Sequence, residues 1–344
     1  MLDIFFLSNV IEADRRRYCG WQETEKERWK KLCVEIPGQD CGLIIICALV
    51  IMIGWNKGVK EWFEQFEQPV LKEVDISGIN SPNAILMQVR GGKILGEING
   101  EAQIYPASMT KIMTVILGIE NFDDLDEKIT LTDEMFAGLY EQDATQAGFQ
   151  PGEEVRVIDL LYGAMLPSGA ECCIALADTI SGSEADFAEL MNKKARKLGM
   201  ENTHFCDSTG LHNPDHYSTV KDIAVLMKYC IKNDTFREIV ETSRHSTGVT
   251  NIHPDGITYY STMFKNLSDP TVTGGKILGG KTGYTSEAGH CLVSFAEIEG
   301  REYIFVSAGA SGADGNTIPH IQDAVTVYNR VGAAIEAKMN NNNK

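Results

Sequence analysis

The chain has 344 residues, 43% of them hydrophobic and 23% charged, with 32 glycines, 10 prolines and no collagen-like period. That is room for one large domain or two ordinary ones, and enough apolar content to exclude wholesale disorder. The formal charge of −17 repels phosphate backbones, so no nucleic-acid partner is expected.

Residues 1–40 are polar and carry Arg15, Arg16, Arg17, Lys26, Arg28, Lys30 and Lys31. Residues 41–55 then run from Cys41 to Trp55 without a charge. As a helix this run spans about 22 Å, short of the roughly 30 Å hydrocarbon core, and flanking Trp55 and Val59 extend it. We expect a transmembrane anchor over 41–56 and a cytoplasmic segment over 1–40, because lysine and arginine favour the inside. A cleaved signal peptide is the competing reading, but its leading segment would be unusually long and no Ala-x-Ala site follows. Residues 57–79, with Trp62, Phe63, Phe66 and four glutamates, read as a juxtamembrane stalk, helical until Pro69.

From residue 80 the pattern alternates. Ala84–Val89 and Ile94–Ile98 predict a hairpin around Arg90-Gly91-Gly92-Lys93. Met109–Ile119 predicts a helix. Residues 122–165 read as mostly helical, broken at Gly148–Gly152, with a short helix at Asp159–Met165. Glu171–Ile180, Ser183–Leu198 (closed by Gly199) and Lys221–Lys232 predict three more helices. Strands are expected at Ile257–Tyr260, Gly289–Glu297 and Tyr303–Ala308, and a long helix at Ile318–Met339. The fold class is α/β (α+β): N- and C-terminal strands share one antiparallel sheet covered by helices. The domain spans 80–336, and 337–344 is a polar tail.

The nine cysteines include no Cys-x-x-Cys pair and no zinc-finger spacing, so mostly free buried thiols and no metal or other cofactor are expected.

Three short motifs bear on chemistry. Ser108-Met-Thr-Lys111 puts a hydroxyl and an amine three residues apart on one helical face. A neutral amine there can take the serine proton, and the helix N-terminus offers N–H groups to an oxyanion. Leu166-Pro-Ser168-Gly-Ala170 places Ser168 on a loop between helices; alone it is an ordinary turn. Gly275-Lys-Ile-Leu-Gly-Gly280-Lys281-Thr282 fits phosphate-loop spacing, but a strand follows where a phosphate loop needs a helix, so nucleotide binding is set aside.

Together and in this order, the motifs resemble those of penicillin-binding proteins and serine β-lactamases. They are most similar to the low-molecular-mass D-alanyl-D-alanine carboxypeptidases. Asp159-Leu-Leu-Tyr-Gly, His216-Tyr-Ser-Thr219 and Lys281-Thr-Gly-Tyr-Thr-Ser-Glu-Ala-Gly289 extend the resemblance over residues 80–336. It implies a β-lactamase/transpeptidase-like fold with an all-helical subdomain. It also implies a substrate, the peptidoglycan stem peptide ending in D-Ala-D-Ala, and β-lactams as covalent inhibitors. Ser108 would be the nucleophile, Lys111 its base and Ser168 a proton relay. Lys281 would supply positive charge that activates Lys111 and attracts the substrate carboxylate. Thr282, Gly283 and Tyr284 would bind peptide along an edge strand, with the Ser108 and Tyr284 N–H groups as oxyanion hole. His216 is read as structural.

Two departures from the family pattern stand out. Ala170 replaces the usual Asn of the second motif, and Ser311–Asn316 lacks the usual basic residue. Glu171 could reach Lys111 or simply cap its own helix; we expect the cap. The small β-rich domain that many relatives append is expected to be absent. A β-lactamase reading lacks a Glu-x-x-Leu-Asn segment, and a non-catalytic peptide-binding relative is the remaining alternative.

Overall fold

The computed structural model describes residues 71–267, 269–312 and 318–342. A six-stranded antiparallel sheet forms the centre, in the order β2-β1-β10-β9-β8-β7. Its strands are β1 (Asn83–Gln88), β2 (Lys93–Ile98), β7 (Thr271–Val272), β8 (Gly275–Thr285), β9 (Gly289–Ile298) and β10 (Arg301–Ala310). Ile85 pairs with Val306 across β1 and β10, so the N- and C-terminal strands share one sheet as expected.

Side chains alternate across this sheet, as strand geometry requires. Ile85, Met87, Val293, Phe295, Ile304 and Val306 face the first core. Leu86, Leu292, Tyr303 and Phe305 face the second. The first core is completed by α1 (Lys111–Asn121), α2 (Val157–Met165), α3 (Ala170–Ser181), α4 (Glu184–Leu198), α5 (Val220–Cys230) and α6 (Asp234–Glu241). The second is closed by α8 (Pro319–Asn342), through Val327, Tyr328, Val331 and Ile335. A short α7 (Thr262–Asn266) precedes β7. The described residues form one compact unit.

α1 is buried on every face from Lys111 to Gly118, as a helix apolar all round must be. An alanine at Gly118 would place its Cβ 2.7 Å from Leu161, so α1 and α2 meet at that glycine. The helix that carries the lysine of the first motif is therefore the fixed centre of the helical layer.

The structure corrects several expectations. Residues 122–156 are mostly loop: a 3₁₀ turn at Asp133–Phe136 and a two-stranded ribbon of β3 (Lys128–Thr130) and β4 (Glu154–Arg156). Their backbone groups find partners outside any helix; Leu131 N bonds Glu153 O at 2.9 Å and Gly152 N bonds Leu131 O at 2.7 Å. β6 (Thr258–Tyr260) pairs with β5 (Arg244–Ser246) in a separate ribbon. α6 was not foreseen; Asn233 caps it by accepting from Phe236 N at 3.0 Å.

The stalk expected over 57–79 is overturned within the described residues. Leu71, Val74 and Ile76 are buried in the second core, and Val74 N donates to Leu95 O at 2.8 Å. The tail expected at 337–344 begins later, because α8 continues to Asn342. The anchor expected at 41–56 lies outside the described residues, and among those described no helix is long and apolar enough to cross a membrane. The five cysteines of the described region are free thiols.

Candidate active site

Ser108 sits in a 3₁₀ turn, Ala107–Thr110, that leads directly into α1. Ala107 holds φ at 47°, a left-handed conformation that an L-residue adopts only under constraint. The constraint is visible: Gly210 lies so close to the Ala107 carbonyl that any Cβ there would overlap it. Lys111 is 3% exposed. Its Nζ donates to Ser108 Oγ at 3.1 Å and to the Thr209 carbonyl at 2.6 Å. The three-residue spacing thus delivers the expected hydroxyl–amine contact.

β8 runs along the other side of the turn. An added Cβ at Gly283 would lie 3.0 Å from Ser108 N and 3.1 Å from Ala107 Cβ. The nearby glycines have the same kind of reason. Side chains at Gly279 and Gly280 would overlap the Val240 and Val293 carbonyls respectively. The Gly-rich stretch that mimics a phosphate loop is therefore a strand under close backbone approach. β7 pairs only with Gly275 and Lys276. Beyond them β8 has no outer strand partner among the described residues, which leaves it as the expected edge.

Lys281 is 1% exposed, and its Nζ donates to the Thr282 carbonyl at 2.8 Å. Burial, and then repulsion from Lys111, push this amine well below the ordinary lysine range. The expected role of a fixed cation therefore falls on a group that its surroundings drive toward the neutral form. Burial pushes the thiol of Cys173 of α3 up to about 12, and the charges of Lys111 and Lys281 act against that shift.

Thr282 Oγ1 bonds Thr262 Oγ1 at 2.7 Å, while Thr262 N donates to the Leu166 carbonyl at 3.1 Å. This links β8 to the Leu166–Gly169 loop that carries Ser168. Ser168 is 7% exposed with φ at 73°, a second strained residue within the motif set. Its loop is clamped by Gly169 N to Gly163 O at 2.8 Å and Ala170 N to Thr145 O at 2.8 Å. Tyr284 is 60% exposed and sits beside the His290 ring, centroids 4.6 Å apart.

Glu171 stands in the first turn of α3, where its negative charge suits the helix dipole as expected, and it also serves a loop outside the helix. Its Oε1 accepts from Ala147 N at 2.6 Å and Gly148 N at 2.9 Å, so it fastens the 145–149 loop over α3. Its Oε2 is buried with no partner, and burial raises its carboxyl above the usual range.

Several residues of the site escaped the sequence reading: Thr110, Asp207, Thr209, Thr262 and Cys173. His216 is buried, as a structural residue would be, but its Nε2 lies 2.9 Å from Thr110 Oγ1, beside Lys111. Burial would raise Asp207; the His216 ring, the Gly210 amide and the Thr209 hydroxyl instead bring it down to about 2. The one local signal was Asp207-Ser-Thr-Gly210, a turn-forming sequence whose side chain bonds backbone two residues on.

The family model for D-alanyl-D-alanine carboxypeptidases, Peptidase_S11, matches residues 70–312. The D-alanyl-D-alanine carboxypeptidase DacF of Bacillus subtilis is 35% identical over 231 residues, covering 67% of this chain and 57% of that protein. This chain therefore spans less than two thirds of that relative's length. The D-alanyl-D-alanine carboxypeptidase of Streptomyces strain K15 is 35% identical over 236 residues, covering 66% of this chain and 78% of that one. The crystal structure of the Streptomyces K15 DD-transpeptidase superposes with a TM-score of 0.66 at 29% identity, covering 76% of this chain and 100% of that one. With the Ser108–Lys111 contact and the β8 edge arranged as above, the chain belongs to the D-alanyl-D-alanine carboxypeptidase family.

Proposed function

We propose that the protein is a serine-type D-Ala-D-Ala carboxypeptidase that removes the terminal D-alanine of peptidoglycan stem peptides. The observation that carries this reading is the Lys111 Nζ–Ser108 Oγ contact of 3.1 Å on the central helix. The stem peptide adds as a strand along the open edge of β8 at Thr282, Gly283 and Tyr284. Ser108 Oγ attacks the carbonyl between the two D-alanines while Lys111 takes its proton. The Ser108 and Tyr284 N–H groups receive the oxyanion. Ser168 passes a proton to the leaving D-alanine amine, and water then releases the acyl group from Ser108. β-Lactams acylate the same hydroxyl. Lys281, enclosed and repelled by Lys111, shapes the field along β8.

The uncharged run 41–55 and the basic residues before it support an N-terminal membrane anchor. The peptidase unit then lies outside the cell, where its substrate is. N-terminal sequencing of the mature protein checks this: a start after residue 55 means a cleaved signal instead.

The activity test is D-alanine release from a D-Ala-D-Ala peptide by the full chain in detergent, wild type beside Ser108→Ala. Release that depends on Ser108 supports the reading. Release that survives Ser108→Ala, or no release at all, contradicts it.

A further inference from the structure

Lys111 ends in a flexible four-carbon stem, and a general base must be aimed. We propose that Asp207 and His216 are positioning residues that aim the Lys111 amine at Ser108. This inference rests on the acyl-enzyme reading above. Asp207 grips both backbone segments that meet at the amine. Its Oδ1 accepts from Thr209 N at 2.7 Å, Thr209 Oγ1 at 2.8 Å and Gly210 N at 2.6 Å. Those bonds fix the Thr209 carbonyl, the acceptor 2.6 Å from Lys111 Nζ. Its Oδ2 lies 3.1 Å from His216 Nδ1, and His216 Nε2 lies 2.9 Å from Thr110 Oγ1.

Thr110 directly precedes Lys111 in the chain. The connections therefore close a ring: Lys111, the Thr209 carbonyl, Asp207, His216, Thr110 and back to Lys111. One side of the ring holds the backbone that carries the lysine, and the other holds the carbonyl that receives its amine. Thr110 is fully buried, His216 and Thr209 are each 2% exposed, and Lys111 is 3% exposed. Water does not compete for the bonds of Thr110, Thr209 and Lys111, so those keep their direction, while the Asp207 side chain is 19% exposed. Further bonds hold the same segment: Thr114 Oγ1 donates to Ser208 O at 2.6 Å, and Ser208 Oγ to Glu184 Oε1 at 2.5 Å. The arrangement resists any drift of the Thr209 carbonyl away from α1.

A base displaced by about 1 Å loses on the order of 100-fold in rate, while substrate binding on β8 does not involve this ring. The proposal thus separates the limiting acylation rate from the non-covalent affinity that precedes it. The test is saturation kinetics of Ser108 acylation by a chromogenic β-lactam on the full chain. The variants are Thr110→Val, Thr110→Ser, His216→Leu, and Thr110→Val with His216→Leu. Circular dichroism and the melting midpoint establish folding. Thr110→Val should lower the limiting rate about 10- to 100-fold and leave non-covalent affinity within about twofold. Thr110→Ser should restore the rate. The double variant should be no slower than its slower parent, because both cut one chain of bonds. A folded Thr110→Val that acylates at the wild-type rate overturns the proposal, and so do losses that multiply in the double variant. If His216→Leu does not fold, the Thr110→Val and Thr110→Ser pair alone decides. A wild-type protein that does not acylate at Ser108 at all removes the acyl-enzyme reading itself, a different failure.

Discussion

Glu171 shows how far a residue's role can lie from its motif. It follows the position where the family has Asn, yet it serves a loop 23 residues earlier in the chain. Its carboxyl is raised by burial, so the folded state binds the proton more tightly than the unfolded chain. The sign follows: stability is full below the unfolded value near 4.3 and is lost as pH climbs through the raised folded value. Glu171→Gln keeps an acceptor for Ala147 and Gly148 and removes the buried charge. It should acylate within about threefold of wild type and melt higher than wild type at pH 8, with the advantage vanishing near pH 4. A rate loss of tenfold or more would mean that Glu171 reaches Lys111 after all. Lys281 follows the opposite charge logic. Its amine is pushed down, so stability rises with pH from that lowered value up to the unfolded value near 10.4. Lys281→Met should therefore melt higher at pH 7 while acylating roughly 10- to 150-fold more slowly, the range for losing a hydrogen bond to a charged group. A lower melting point would show that the charge is compensated.

Among elements, β8 and α8 are placed by glycines. An alanine at Gly283 would press on Ser108 N and Ala107 Cβ. Gly283→Ala should therefore move the Ala107–Thr110 turn and slow acylation at least tenfold, on the order of 1.4 kcal/mol, with little change in melting point. α8 crosses the β7–β8 turn at Gly332, where a side chain would overlap the Thr273 carbonyl. Gly332→Ala should lower stability by roughly 1–3 kcal/mol, read by urea unfolding, and leave the acylation rate of the folded fraction unchanged. Many of the strands and helices were readable from sequence, because the continuous apolar runs in β1, β9 and β10 and the apolar spacing in α3 and α4 are local patterns. Ser108 and Lys111 were readable for the same reason. Residues 122–156 were not, since the apolar side chains there serve loops whose partners lie far along the chain. Glu153, for example, is buried against Thr250 and His253. Asp207 was invisible for that reason too: its ring with Lys111 closes over a separation of 98 residues.

At the scale of the molecule, a helical layer and an α8 layer enclose one sheet, and the candidate site residues collect where α1, the Ser168 loop and the open edge of β8 meet. Two of the residues drawn into that junction, Ala107 and Ser168, carry left-handed backbone. Such strain persists only where the surrounding structure over-determines it. The fold therefore spends conformational freedom at the same place where it builds an enclosed amine beside a hydroxyl. The central claim is that Ser108 is the nucleophile of this junction and Lys111 its base. The most direct measurement is mass spectrometry of the full chain after brief exposure to a penicillin, followed by tryptic mapping. The account predicts one added penicillin mass, located on the peptide that contains Ser108, and no adduct in Ser108→Ala or Lys111→Ala over the same interval. An adduct on any other residue, or undiminished labelling in Ser108→Ala, would contradict it.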